Sequence, residues 1–151
     1  MNPLMALAIS IGVLLGVSNV VFGVIHIPLW PAIVAWGCFF AAGGKMDGLS
    51  KTIVANIAGV FWVFVATAVI GSLGGSLPVT AVVVGLVGFI LVAESKLPLL
   101  GFIPGAFVAA GIMIAFGNYH ASRLSKFVLS LVLGAVLGYL SETLAGKLKK
   151  A

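Results

Sequence analysis

Charge is what this sequence has least of. Eight Lys and Arg residues and three carboxylates, Asp47, Glu94 and Glu142, are all the charged side chains in 151 residues. A soluble domain carries charge on about a quarter of its residues, against 7% here, so a water-soluble globular fold is excluded. The three carboxylates stand far apart in the chain, no nucleophile has a base beside it, and no phosphate-binding loop occurs. The side chains that acid–base or covalent catalysis needs are therefore missing, and the chain reads as a non-enzyme. The single cysteine, Cys38, rules out an internal disulfide, and with two histidines it supplies too few ligands for a zinc or copper centre. No cofactor is expected, and nothing resembles a nucleic-acid-binding motif.

What is present is apolar residues, 62% of the chain, with a mean hydropathy of +1.32. Uncharged runs cover residues 1–44, 52–93, 97–122 and 127–141. A membrane-spanning helix needs about 20 mainly apolar residues, so the first two runs hold two spans each. Their turns fall at "HIPLWP" and "GSLGGSLP". The expectation is an all-α polytopic bundle of six spans, at 4–25, 29–44, 52–72, 77–93, 97–116 and 126–144, forming one membrane domain over 1–151. The N-terminal segment has no preceding Lys or Arg and too long an apolar core for a signal peptide, so it is read as a retained span. With both termini cytoplasmic, Lys45, Lys51, Lys96, Lys147, Lys149 and Lys150 lie inside and only Arg123 and Lys126 outside, as the positive-inside rule favours. A re-entrant fifth segment would narrow that bias. The net charge of +5 reads as topology and contact with anionic lipid headgroups.

Offsetting the chain by 75 residues superposes "LSK" at 49–51 on "LSK" at 124–126 and Gly59 on Gly134, and an offset of 76 puts Pro28 on Pro104. Two halves, 1–75 and 76–151, each of three spans, would be an inverted repeat, with a solute site between them. In that reading the short second span, with Pro31, and the fifth, with Gly101, Pro104 and Gly105, are interrupted elements. Proline removes a backbone donor and obstructs the preceding turn, and in a membrane the freed groups must face protein or water. A helix restarting at Gly105 would offer the amides of Gly105, Ala106 and Phe107 to a small polar or weakly anionic solute, with Phe102 or Phe107 narrowing the path. A packed proline kink is the alternative. Asn56, one turn into the third span, needs either an interhelical hydrogen bond or the same cavity. Gly12 and Gly16, Gly59, and Gly134 and Gly138 are small-residue helix-packing positions. Glu94 and Glu142 read as interfacial anchors or ion-pair partners, and His26 and His120 as loop residues.

The succession "LWPAIVAWGCFFAAGG", "KTIVANIAGVFW", "SKLPLLGFIPGAFVAAGIMIAFG" and "LSLVLGAVLGYL" resembles the small bacterial inner-membrane family called domain of unknown function 1097. "GFIPGAFVAA" and "LVLGAVLGYL" are its most specific parts, and the short ending "GKLKKA" departs from it. The resemblance implies an integral inner-membrane protein of about six spans and no activity. The expected function is a passive channel or facilitator for a small polar solute, working as a homo-oligomer in the lipid bilayer. The competing expectation is a non-transporting accessory or scaffolding subunit.

Overall fold

The computed structural model describes residues 1–117 and 119–150, which form six α-helices and no strand. They are α1 (Pro3–Val24), α2 (Leu29–Ala41), α3 (Lys45–Ser72), α4 (Leu77–Ala93), α5 (Ile103–Phe116) and α6 (Ala121–Lys150), with short 3₁₀ turns at Glu94–Lys96 and Pro98–Leu100 between α4 and α5. Four elements, α1, α3, α4 with its following 3₁₀ turn, and α6, are long and apolar enough to cross a membrane. With 13 and 14 residues, α2 and α5 reach only about 20 Å at 1.5 Å per residue, short of the roughly 30 Å hydrocarbon core.

Proline punctuates this fold at helix starts. Pro3, Pro78 and Pro104 sit at the first or second position of α1, α4 and α5, Pro31 lies in the first turn of α2, Pro28 caps it, and Pro98 opens a 3₁₀ turn. At those positions the missing N–H has no helical acceptor to lose. Pro104 therefore begins a helix instead of kinking one, which corrects the expectation of an interrupted span running from 97. The residues from 94 to 102 form the connection, and the helix begins at Ile103, not Gly105.

The bundle is held by crossed pairs. The short α2 packs on α6, and the short α5 packs on α3, so each short helix lies against the last helix of the other half. Glycine permits both crossings. A Cβ at Gly59 would land on the Ala106 carbonyl, and one at Gly134 on the Ala32 carbonyl, with Ala32 Cα only 2.5 Å away. The Phe39 ring sits on Gly138 in the same way. Between these pairs the core is filled by Ala35, Val60, Val63, Ala109, Met113, Phe127 and Leu131.

Side-chain hydroxyls tie the α2–α6 pair further. Ser141 Oγ accepts from Trp36 Nε1 at 3.0 Å, and the Ser141 carbonyl accepts from Ser10 Oγ at 2.8 Å, so one residue of α6 holds α1 and α2 together. At the opposite end Ser130 Oγ donates to the Pro28 carbonyl and Lys126 Nζ to the His26 carbonyl, at 2.5 and 3.1 Å. The turn between α1 and α2 thus gives its loose carbonyls to α6. The packing roles expected at Gly12 and Gly16 are not found within the chain: both face outward, and a Cβ added at either would have nothing within 4 Å. The first helix uses Ala6, Ser10, Ser18 and Phe22 instead.

Candidate functional site

The third helix carries buried alanine, glycine, valine and polar residues along one stripe: Thr52, Ala55, Asn56, Gly59, Val60 and Val63. Thr52 and Asn56 are separated by one helical turn and so stand on the same face. Both are shut from solvent, at 0% and 1% exposure. Thr52 Oγ1 and both amide atoms of Asn56 have no hydrogen-bond partner among the described residues. The interhelical bond expected of Asn56 is absent among the described residues. Sequence reasoning passes over Thr52, although its spacing of four from Asn56 is the signal that could have found it.

The backbone expected to form the site is used differently. Phe102 caps α5, and its carbonyl accepts from the Gly105 and Ala106 amides at 3.1 and 3.4 Å. Those donors are satisfied within the chain, which removes the anion-binding role expected of them. The Phe102 ring lies over Gly105, so it fills the space a side chain would take there rather than narrowing a path. Pro104 and Gly101 are exposed, and Pro31 is buried in the first turn of α2. Gly105 packs on Ala55 and Ala106 on Gly59 of α3, one and three residues from Asn56 on the same helix. Phe107 lies apart from them, lining an apolar cavity of about 470 Å³ between α3, α4 and α5 with Val63, Ile70, Val84, Leu91 and Ile114.

Two carboxylates also behave differently from the sequence expectation. Glu142 reaches back to the start of α3, where Oε2 accepts from the Lys45 amide at 2.7 Å. Gly44, at φ 68°, leaves room for that carboxylate, since a Cβ there would meet Oε1 at 2.9 Å. An anion at a helix N-terminus is favourably placed, so Glu142 serves as a cap supplied by another helix. Glu94 turns inward: Oε2 accepts from Trp62 Nε1 of α3 at 2.9 Å, and Oε1 is buried with no partner among the described residues. The ion pair found among those residues is Lys51–Asp47, at 2.6 Å.

The two ends of the bundle are chemically distinct. One end gathers Trp30, Phe116 and Phe127, with ring centroids 4.9 to 6.1 Å apart, together with His26 and Lys126. The other gathers Gly44, Lys45 and Glu142. His26 is exposed and its Nδ1 lies 2.9 Å from the Val24 carbonyl. Among the described residues there is no group of three or more His, Cys, Asp or Glu side chains that could hold a metal ion.

A family model described as "Protein of unknown function (DUF1097)" matches residues 8–146. The chain is 32% identical over 144 residues to the protein called inner membrane protein YcdZ of Escherichia coli, covering 92% of this chain and 83% of that one. It is 30% identical over 164 residues to the E. coli protein called uncharacterized protein YahC, covering 100% of this chain and 96% of that one. The Salmonella typhimurium inner membrane protein YcdZ is 31% identical over 144 residues, 92% of this chain and 85% of that protein. No solved structure matches.

Proposed function

This chain belongs to the DUF1097 family, and from that membership and the geometry of its core we propose that it is an inner-membrane channel or facilitator for a small, neutral, hydrogen-bonding solute. The observation that carries the reading is the pair of orphaned side chains, Thr52 and Asn56. A buried polar atom left unsatisfied costs about 1–3 kcal/mol, so the three atoms here cost about 3–9 kcal/mol. That is a large share of the roughly 5–15 kcal/mol that stabilises a folded domain, and a passing solute or its water would offset it. Asn56 offers a donor and an acceptor and Thr52 a hydroxyl, which suits an amide-like or polyol-like solute. No charged side chain accompanies them, and the Gly105 and Ala106 amides are occupied. Of the neutral or weakly anionic solute expected from sequence, the neutral half is therefore retained and the anionic half dropped.

The crossed packing supports the same reading. In an inverted repeat the solute site lies between the halves, and Asn56 precedes the Gly59–Ala106 crossing by one turn. The relatives named as inner membrane proteins, the four long apolar helices and the distribution of Lys and Arg support an inner-membrane location. The excess of Lys and Arg at one end also favours both termini on the cytoplasmic side. The outward glycines of α1 and the sparse burial of α4, where Leu91 is the one buried residue, favour a homo-oligomer. The same exposed helices also favour the second reading, an accessory subunit that docks other membrane proteins.

The test is stopped-flow swelling of proteoliposomes with urea, formamide, glycerol and erythritol, comparing the parent with Asn56→Leu and Thr52→Val. Flux of at least one solute, reduced tenfold or more by either substitution while the protein stays folded, is the expected result. Equal flux in parent and empty liposomes across the panel would instead favour the accessory-subunit reading.

A further inference from the structure

The apolar cavity between α3, α4 and α5 contains neither Thr52 nor Asn56 among its lining residues, and it has a length, an opening and two unlike ends of its own. On α4 it is lined by Thr80, Val84, Gly88 and Leu91, whose spacings of four, four and three keep them on one helical face. From Thr80 to Leu91 that face rises about 17 Å at 1.5 Å per residue. One leaflet supplies about 15 Å of the hydrocarbon core, so the groove is about as long as a leaflet is deep. It is also open at its side. The fourth helix packs on α3 and touches α5 little, and Val84, Phe107 and Ile114 stay 51%, 45% and 59% exposed although they line the groove. In a membrane that opening faces lipid. Two lining glycines, Gly88 and Gly111, keep the space clear, since a Cβ at either would meet nothing within 4 Å.

The two ends of the groove differ in polarity. At one end Val63, Leu91 and Phe107 offer only hydrocarbon. The other end lies beside the α3–α4 and α5–α6 connections and carries Thr80 and Tyr119. Thr67 gives its hydroxyl to the Val63 carbonyl at 2.7 Å, whereas the Thr80 and Tyr119 hydroxyls have no hydrogen-bond partner among the described residues. Trp30, stacked near Phe116, and Lys126 mark this end as the headgroup level. Four residues after Tyr119, in the first turn of α6, Arg123 is exposed and makes no ion pair among the described residues. The chain's three carboxylates lie at the start of α3, just after α4 and in the second half of α6, and none lies in the 73–76 or 117–120 connection. A second copy of this chain would therefore bring no acid to Arg123 from those connections. A phospholipid brings a phosphate, which a guanidinium binds through paired hydrogen bonds.

We propose that a phospholipid binds here, with one acyl chain in the groove between α4 and α5, its ester oxygens on Thr80 and Tyr119, and its phosphate on Arg123. The chain covers Val84, Phe107 and Ile114 and completes the packing of α4, whose one buried residue is Leu91. The site is separate from Thr52 and Asn56, so it stands whether or not a solute crosses beside them.

Native mass spectrometry of the full chain, released from detergent after titration with dioleoylphosphatidylglycerol or with dioleoylglycerol, counts bound lipid without any flux measurement. The expected result is one phosphatidylglycerol per chain, held at least fivefold more tightly than dioleoylglycerol. Gly88→Leu and Gly111→Leu place a side chain in the groove where nothing obstructs it, and each lowers the affinity for both lipids at least tenfold; either variant serves if the other fails to fold. In Arg123→Gln the preference for the phosphate-bearing lipid is lost while dioleoylglycerol binds as before. Thr80→Val combined with Tyr119→Phe weakens both lipids severalfold. Equal lipid binding by the parent and both filled variants, no preference for phosphatidylglycerol in the parent, or a lipid-free dimer that Gly111→Leu turns into monomer would overturn the proposal.

Discussion

Replacing Gly134 with alanine should separate α2 from α6. The added methyl would stand 2.5 Å from Ala32 Cα and 2.6 Å from its carbonyl carbon, whereas carbon atoms are at their optimum about 3.5–4.0 Å apart. Both obstructing atoms are backbone, so no rotamer change relieves them, and the two helices must part by about 1 Å. A gap of that size forfeits about a quarter to a half of the attraction in each contact lining the crossing, and overpacking of this kind typically costs about 1–3 kcal/mol. Gly59→Ala should cost a similar amount, because its methyl would meet the Ala106 carbonyl carbon and the Ala110 nitrogen, each at 3.0 Å. The internal controls are Gly12→Ala and Gly16→Ala, which meet nothing within 4 Å. Within the single chain those changes should be neutral or favourable by up to about 1 kcal/mol, through helix propensity. Unfolding in mixed micelles of sodium dodecyl sulfate and dodecyl maltoside, followed by far-ultraviolet circular dichroism, gives the four values on one scale. If Gly134→Ala and Gly59→Ala fall within about 0.5 kcal/mol of the two controls, the spread expected of a substitution that touches nothing, the crossed-helix geometry is wrong.

Pro104→Ala should leave stability within about 0.5 kcal/mol and solute flux unchanged, since Pro104 is exposed in the first turn of α5; the same micelle unfolding and swelling assays check both. Asn56→Leu should raise stability by about 2–6 kcal/mol while lowering flux at least tenfold, because it removes two unpartnered polar atoms at about 1–3 kcal/mol each; a loss of stability would mean that Asn56 has a structural partner. Ser130→Ala should cost about 1 kcal/mol through the lost bond to the Pro28 carbonyl, read from the same unfolding midpoints. Glu142→Gln keeps an acceptor for the Lys45 amide but loses the charge facing the start of α3. Its cost should be about 0.3–1 kcal/mol and shrink as salt is added, which unfolding at two ionic strengths measures.

The helices are legible because hydrophobic runs and charges alternate so plainly. All six expected spans overlap an observed helix; the third and sixth helices, Lys45–Ser72 and Ala121–Lys150, run beyond the expected bounds, and the fifth starts later than expected because "LPLLGFIPG" reads as broken helix. The reason is that proline has two meanings. Inside a helix it breaks a bond, but at the first turn it breaks none, and sequence alone does not say on which side of Pro104 the helix starts. The Gly134 packing position is legible from its spacing to Gly138 and that of Gly59 from its match to Gly134 at the 75-residue offset, whereas Gly12 and Gly16 have the same spacing as Gly134 and Gly138 and pack on nothing among the described residues. Spacing gives a face, and only the neighbouring helix decides whether that face is covered. Asn56 stands out because an amide in an apolar segment is costly wherever it points. Thr52 and Glu94 do not, because a threonine at the start of a span and a glutamate in a loop are ordinary until their neighbours are known. The inward turn of Glu94 depends on Trp62, 32 residues earlier in the sequence.

The differences between the halves carry more functional information than their likeness. Contacts that recur, Gly59 on Ala106 and Gly134 on Ala32, satisfy a packing requirement common to both crossings. Where the halves diverge, the second has the more completely satisfied last helix. Its last helix presents Phe127 and Leu131 to the core where the first half presents Thr52 and Asn56, and Ser130 and Lys126 serve a turn whose counterpart has Ala55 and an engaged Lys51. The orphaned atoms lie on the side of α3 and of the α4–α5 connection, never on the side of α6 among the described residues. A chain under selection for packing alone would shed that cost readily, since leucine at 56 removes two polar atoms and glutamine at 94 removes a charge. On the proposed function, the concentration of orphaned atoms around one helix makes α3 the surface that would meet the solute, with α6 as its counterpart in the other half.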